Sequence, residues 1–393
     1  MTREEKIRDL SARLTRALGD KDFVDYCMRM KAQNPNFARD MATCEKIARI
    51  DLNNISVNQD MITGGFFNFD QMRDGVIGFY GYIDRLSPDM PPLVPQLMEN
   101  VKYLTTKVEG RKDTRSCCGS HTAKDGSVVR EVFINPEGRI GDVGTAIHEF
   151  CHSLSKSFLE ATGRKDDTVA EVCTVITDQL STIFLKKAFP QYVANFDENL
   201  ANVQVCNVIK ARESLLEGVI MSVACGDMTM QDAVANYAHM YTGNPNILER
   251  CINNIETYNF QAMYEKRYLV PQAIALEMAD RFVQDPEGTV KQFKDVLAHD
   301  TEWTMSEVLD YLGLPQEEAL IDDYVAKYHD RVASYRQDQT ADKTQSTETK
   351  PELLPDEQNP DVPQKKPEEK VESGNSCGQD DASVQSEVPS MVE

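Results

Sequence analysis

The chain has 393 residues, and its 64 acidic side chains outnumber the 42 basic ones, giving a net charge of −22. This acidity argues against binding to nucleic acid or to a membrane surface, because both interactions need a basic footprint. No apolar run approaches the roughly 18 to 20 residues of a membrane-spanning helix. The N-terminus lacks the apolar stretch of a signal peptide, and the ten scattered cysteines are expected to be reduced, so we expect a cytoplasmic protein.

Amphipathic spacing predicts a mainly α-helical chain. The predicted helices cover residues 4–18, 37–50, 143–159, 169–187, 203–224, 229–241, 247–264, 268–284, 289–297 and 305–312. One strand is predicted over residues 127–135, which are rich in β-branched and aromatic side chains. A turn signal at residues 124–126 precedes it, so we expect a hairpin with residues 116–122.

Residues 341–393 differ in composition from the rest of the chain. They contain six prolines, no aromatic residue, and 13 acidic against 5 basic side chains, which predicts a disordered tail. We therefore divide the chain into an N-terminal helical region (1–114), a second folded region (115–340) and the tail (341–393). The acidic cluster at residues 368–372 resembles C-terminal export signals of injected bacterial effectors, which is the alternative to a cytoplasmic location.

Residues 148–152 read His-Glu-Phe-Cys-His, inside the helix predicted over 143–159. Residues four apart share one face of a helix, so the imidazoles of His148 and His152 can bind one zinc ion. Glu149 lies about 100° around the helix, where it can act as general base on a water molecule. The alternative is a helix with two partly buried histidines and a surface glutamate.

A catalytic zinc site normally has a third protein ligand. A histidine six residues beyond His152 is one solution, but Phe158 occupies that position. Glu171 is the other candidate, since a turn near Gly163 would fold two helices side by side and return Glu171 to the histidine face. Thr168 and Glu171 also fit a capping box, in which Glu171 bonds the backbone at the helix start, so both interpretations stay open.

Asp178 lies seven residues after Glu171 and can either accept the second ring N–H of a ligating histidine or be a solvated helix acid. Cys151 lies near the same face and is expected to be a small buried residue. The remaining histidines have no partner at ligand spacing and are interpreted as structural: His121, His239, His299 and His329.

Three stretches resemble the oligoendopeptidase F and thimet oligopeptidase family of zinc metallopeptidases, in the gluzincin group. They are residues 132–152, with the strand and the HExxH helix, residues 169–172 around Glu171, and residues 268–282. The resemblance implies a mainly α-helical, zincin-type metallopeptidase fold with a small β-hairpin or sheet beside the HExxH helix. It also implies that residues 115–340 form the catalytic domain and that residues 1–114 are a shortened N-terminal lobe.

The resemblance further implies one zinc ion per chain, bound by His148, His152 and Glu171, with Glu149 as general base. Tyr268 corresponds to an active-site tyrosine that donates a hydrogen bond to the developing oxyanion. Two nearby tyrosines are weaker candidates for that role: Tyr258 and Tyr264.

The chain also departs from the family pattern. Only 18 residues separate His152 from Glu171, a spacing nearer to that of gluzincin aminopeptidases. Pro271 stands where the family prefers glycine, and no histidine upstream of Tyr268 matches the family's substrate-contacting one.

The sequence thus predicts a metallopeptidase that hydrolyses peptide bonds in oligopeptides or unfolded polypeptide, with the extended substrate added to the strand at 128–134. Three alternatives stay open. One is an aminopeptidase-like gluzincin, which needs an acidic anchor for the free amine of its substrate. The others are a non-catalytic scaffold with a metallopeptidase fold and an injected effector that acts on one protein.

Overall fold

Helices dominate the part of the chain that the structure describes. The structure is a computed structural model, and it describes residues 2–53, 55–101, 104–105, 117–122, 128–155, 167–237 and 263–341. These residues all belong to one compact unit, Met1–Gln345. The predicted boundary at 114 and the predicted tail from 342 onward lie outside the described residues, so the division into domains stays a prediction.

Each α-helix is numbered in chain order. They are α1 (Arg3–Ala17), α2 (Lys21–Ala32), α3 (Phe37–Ala48), α4 (Gln59–Ile62), α5 (Phe69–Leu86), α6 (Val94–Val101), α7 (Asp142–Leu154), α8 (Val172–Ala188), α9 (Val193–Ala224), α10 (Met230–Tyr237), α11 (Leu269–Gln284), α12 (Pro286–His299), α13 (Met305–Leu312) and α14 (Glu317–Ala341). Among the described residues, none of these helices has both the length and the apolar character needed to cross a bilayer.

Most of the predicted helices are confirmed, and the errors have physical causes. Helices α2, α4, α5, α6 and α14 were not predicted, and α9 begins at Val193 rather than at 203. The helix predicted over 143–159 ends at Leu154, and most of the helix predicted over 247–264 lies outside the described residues. Helix α5 carries three glycines within its apolar stripe, and glycine in a sequence usually indicates a loop.

The sheet has three strands in the order β1-β3-β2, where β1 is Leu104–Thr105, β2 is Cys117–Thr122 and β3 is Val128–Phe133. Strands β2 and β3 are antiparallel, with Cys117 opposite Phe133, which confirms the predicted hairpin. Strand β1 pairs in parallel with Val132 and Phe133. The expectation that substrate adds along the whole of β3 is therefore wrong at these two residues, because β1 and β2 already flank them.

Helix α7 is fixed between α5 and α8 and against the sheet. Gly75 of α5 faces Val143 of α7, and a Cβ at this glycine would lie only 2.8 Å from Cγ1 of Val143. The buried hydroxyl of Tyr80 donates to the carbonyl of Ile147 at 2.9 Å. At the start of α7, Oδ2 of Asp142 accepts hydrogen bonds from three preceding backbone N–H groups. These contacts set the position of the helix that carries the HExxH residues.

Candidate metal centre

Helix α7 presents its two histidines on one face while its other face is buried. The rings of His148 and His152 are 5.0 Å apart, measured between centroids. Ile147, Phe150 and Cys151 are almost fully buried. Cys151 is a small buried residue as predicted, and burial strongly raises the pKa of its thiol. Burial of the apolar face determines the direction in which the two imidazoles point.

Glu171 lies opposite these imidazoles. It ends the 3₁₀ turn Asp167–Glu171, directly before α8, and its side chain is 0% exposed. Its Oε2 lies 3.4 Å from Nε2 of His152 and 3.7 Å from Nε2 of His148. The capping box with Thr168 needs Glu171 inside the first turn of a helix, whereas Glu171 directly precedes α8 and its side chain makes no capping hydrogen bond there. Of the two interpretations left open by the sequence, this geometry favours the ligand over the cap.

The three side chains fit a zinc ion by the chemistry of their donor atoms. One ligand atom from each of His148, His152 and Glu171 lies within 4.8 Å of the others. Two imidazole nitrogens and a carboxylate oxygen are the protein donors of a typical hydrolytic zinc site, which leaves one position open for water or substrate. The structure thus brings together the three predicted ligands, and their binding of zinc stays a prediction.

Asp178 orients the first of these histidines. Both carboxylate oxygens of Asp178 lie 3.2 Å from Nδ1 of His148, so Nδ1 donates to Asp178 and Nε2 is left to face Glu171. Burial by itself lowers the pKa of His148, but the carboxylates of Asp178, Glu149 and Glu171 together outweigh this effect and raise the pKa to about 9. Asp178 is therefore a partner of a candidate ligand rather than a solvated helix acid.

Glu149 is half-buried on α7, next to His148. Burial raises the pKa of its carboxyl group, and the neighbouring His148 and His152 oppose that shift. A raised pKa makes a carboxylate a better proton acceptor near neutral pH. The environment of Glu149 is thus suited to the role of general base that the sequence predicts.

Comparisons with known proteins bear on the fold. No family model and no curated protein matches the sequence. Among solved structures, PZ peptidase A with inhibitor 2 matches with a TM-score of 0.52 and 12% identity, over 86% of this chain and 58% of that chain. The chain has the fold of PZ peptidase A.

Two further structures are less similar. A Bacillus anthracis str. Ames protein provisionally assigned as an oligoendopeptidase F has a TM-score of 0.48 and 13% identity, over 84% of this chain and 56% of that chain. A Chlamydophila abortus protein provisionally assigned as a peptidase has a TM-score of 0.46 and 13% identity, over 84% of this chain and 55% of that chain.

The match to PZ peptidase A confirms the mainly α-helical fold that the resemblance implied. This chain spans 58% of the length of the PZ peptidase A chain, and an identity of 12% shows the fold alone. The activity of the chain is therefore argued from its own site.

Tyr268 is distant from His148 and His152 in the sequence. It ends the 3₁₀ turn Tyr264–Tyr268, which leads into α11. Nζ of Lys210 lies 4.2 Å from the centroid of the half-buried Tyr268 ring, and Cζ of Arg267 lies 5.3 Å from it. Two cations thus contact one ring, which favours a fixed ring position. The role of Tyr268 as hydrogen-bond donor stays a prediction, while Tyr258 and the side chain of Tyr264 lie outside the described residues.

One residue of the site was missed from the sequence. The guanidinium of Arg267 donates to Oε1 of Glu171. Residues 171 and 267 belong to different elements, and no local pattern connects them. The only available signal was a basic residue directly before the candidate Tyr268, and charge alone does not indicate which carboxylate it contacts.

A cavity of about 360 Å³ lies beside Asp178, between α7, α8 and α9. Its polar lining includes Asn135, Thr145, Asp178, Gln179, Asn199 and Asn202. Side-chain amides both donate and accept hydrogen bonds, which is what a peptide backbone requires from a binding surface. The cavity is lined by Asp178 but by none of the three candidate ligands.

Proposed function

We propose that the chain is a zinc-dependent metallopeptidase that hydrolyses peptide bonds, most naturally in oligopeptides. The observation that carries the proposal is the convergence of His148, His152 and Glu171 beside Glu149. A binding scaffold would have no need of Glu149. The likeness in fold to PZ peptidase A adds support, because that protein is a peptidase by its name.

A zinc ion held by His148, His152 and Glu171 would polarise the scissile carbonyl and lower the pKa of a water molecule. Glu149 takes the proton from the attacking water and delivers it to the leaving amine. Asp178 accepts a hydrogen bond from the Nδ1–H of His148. This fixes the tautomer in which Nε2 carries no proton and can bind the ion.

Tyr268 completes the proposed site as a hydrogen-bond donor to the oxyanion. Such a donor typically lowers the barrier by about 3 kcal/mol. Lys210 and Arg267, which contact the ring, restrict the positions that its hydroxyl can take. The polar cavity beside Asp178 supports a peptide substrate, because its amide side chains can pair with backbone N–H and C=O groups.

The test combines metal analysis with peptide cleavage. Purified protein should contain one zinc ion per chain and cleave members of a mixed peptide library. A chelator should abolish cleavage, and added zinc should restore it. Glu171→Ala should lose most of its zinc, whereas full zinc retention in that variant would show that Glu171 is not a ligand.

The scaffold alternative gives a different result in the same experiment. A zinc-loaded wild-type protein that cleaves none of a diverse set of peptides would favour a non-catalytic role. Cleavage restricted to peptides with a free N-terminal amine would favour the aminopeptidase-like alternative. Cleavage that survives complete zinc removal would contradict the proposed function.

A further inference from the structure

The two oxygens of the Glu171 carboxylate have separate partners. Oε2 faces Nε2 of both His148 and His152 and accepts a hydrogen bond from Oγ1 of Thr174 at 2.9 Å. Oε1 accepts a hydrogen bond from the guanidinium of Arg267. The carboxylate is thus divided into one oxygen for the candidate metal centre and one for an arginine.

Burial makes this arrangement energetically important. Glu171 is 0% exposed and Arg267 is 23% exposed, so the ion pair lies mostly away from water. A buried carboxylate is costly unless its charge is compensated and its lone pairs accept hydrogen bonds.

The arginine also connects two parts of the proposed site. It lies in the turn Tyr264–Tyr268, directly before Tyr268. This turn packs against the turn Asp167–Glu171. A single side chain therefore links the third candidate ligand to the backbone that carries the candidate oxyanion donor.

We propose that Arg267 is a positioning residue of the metal centre. It holds Oε1 so that Glu171 presents Oε2 alone to the metal, and it fixes the distance between Glu171 and the turn that carries Tyr268. This inference rests on the proposed function, because it assumes that zinc is the ion bound. Partners of metal ligands commonly contribute ten- to a hundredfold to metal affinity.

Zinc affinity is the direct readout, measured by competition with a chromophoric chelator. Arg267→Gln removes the charge and should weaken zinc binding by about tenfold or more. Arg267→Lys keeps the charge and one donor, and it should recover part of the loss. The matched control is Arg212→Gln, since Arg212 is also partly buried but donates to the backbone carbonyls of Ala48 and Ile50.

The control separates positioning from general stability. Arg212→Gln should lower the melting temperature and leave zinc affinity at the wild-type value. If Arg267→Gln binds zinc within about twofold of wild type, the inference is overturned while the proposed function stands. A wild-type chain that binds no zinc overturns the proposed function itself.

A second measurement requires no variant. X-ray absorption of the zinc-loaded wild-type protein counts the light atoms around the ion. One oxygen from Glu171, two imidazoles and one water give four donors, as the inference expects. Five donors including both Glu171 oxygens would show that Arg267 does not keep Oε1 from binding the ion, and the inference would be wrong. This result does not depend on whether the variants fold.

Discussion

The close approach of helices α5 and α7 makes Gly75 a sensitive test of how the HExxH helix is held. Replacing glycine by alanine inside a helix normally stabilises a protein by roughly 0.5–1 kcal/mol, because the unfolded chain loses freedom. At Gly75 the new methyl carbon would lie 2.8 Å from Cγ1 of Val143. Non-bonded carbon atoms pack at about 3.5–4.0 Å, so the two helices must separate by roughly 1 Å.

The magnitude follows from these two opposing effects. Overpacking of a buried contact typically costs about 1–3 kcal/mol, and Val143 is 0% exposed. After subtraction of the helix gain, Gly75→Ala should lower the free energy of unfolding by about 0–2.5 kcal/mol. Gly81→Ala is the matched control in the same helix, since its Cβ would meet nothing closer than 3.8 Å. That variant should be stabilised by roughly 0.5–1 kcal/mol.

Urea unfolding followed by circular dichroism measures both variants. A Gly75→Ala/Val143→Ala double variant should be more stable than the sum of the single effects predicts, because the clash is absent from it. Gly75→Ala as stable as Gly81→Ala would refute the reasoning. It would show that α7 is not held against α5 at this contact.

Three further predictions concern the site and the tail. Asp178→Asn removes the charge beside Nδ1 of His148 and should weaken zinc binding about ten- to a hundredfold, measured against a competing chelator; unchanged affinity would contradict that role. Tyr268→Phe should lower kcat by about a hundredfold or more with little change in KM; wild-type kcat would exclude Tyr268 as oxyanion donor. A chain ending at Thr340 should melt and cleave like the full chain, and a drop of more than a few degrees would mean that the tail contacts the folded unit.

The sequence predicted the HExxH helix because helical periodicity and ligand spacing agree there. Residues four apart must share a face, so the proximity of His148 and His152 could be predicted without a fold. Glu171 needed a tertiary argument, and the sequence left a cap as its alternative. The structure brings Oε2 of Glu171 to both imidazoles, and Asp178 follows on the same stripe of α8.

The features missed from the sequence depend on tertiary contacts. Helix α5 contains Gly75 where it meets α7, and such a glycine is indistinguishable from a loop glycine in the sequence alone. Strand β1 has only two residues, too few to show a strand pattern. The ion pair of Arg267 and Glu171 joins residues from separate turns, so no local pattern could predict it.

The measurement that most directly tests the central claim is peptide cleavage by Glu149→Gln with its zinc content determined on the same sample. Glutamine keeps the size of the side chain but cannot accept the proton of the attacking water. Zinc should stay bound, because Glu149 is not among the proposed ligands, and cleavage should fall at least about a hundredfold. A zinc-loaded Glu149→Gln that cleaves at the wild-type rate would contradict the mechanism.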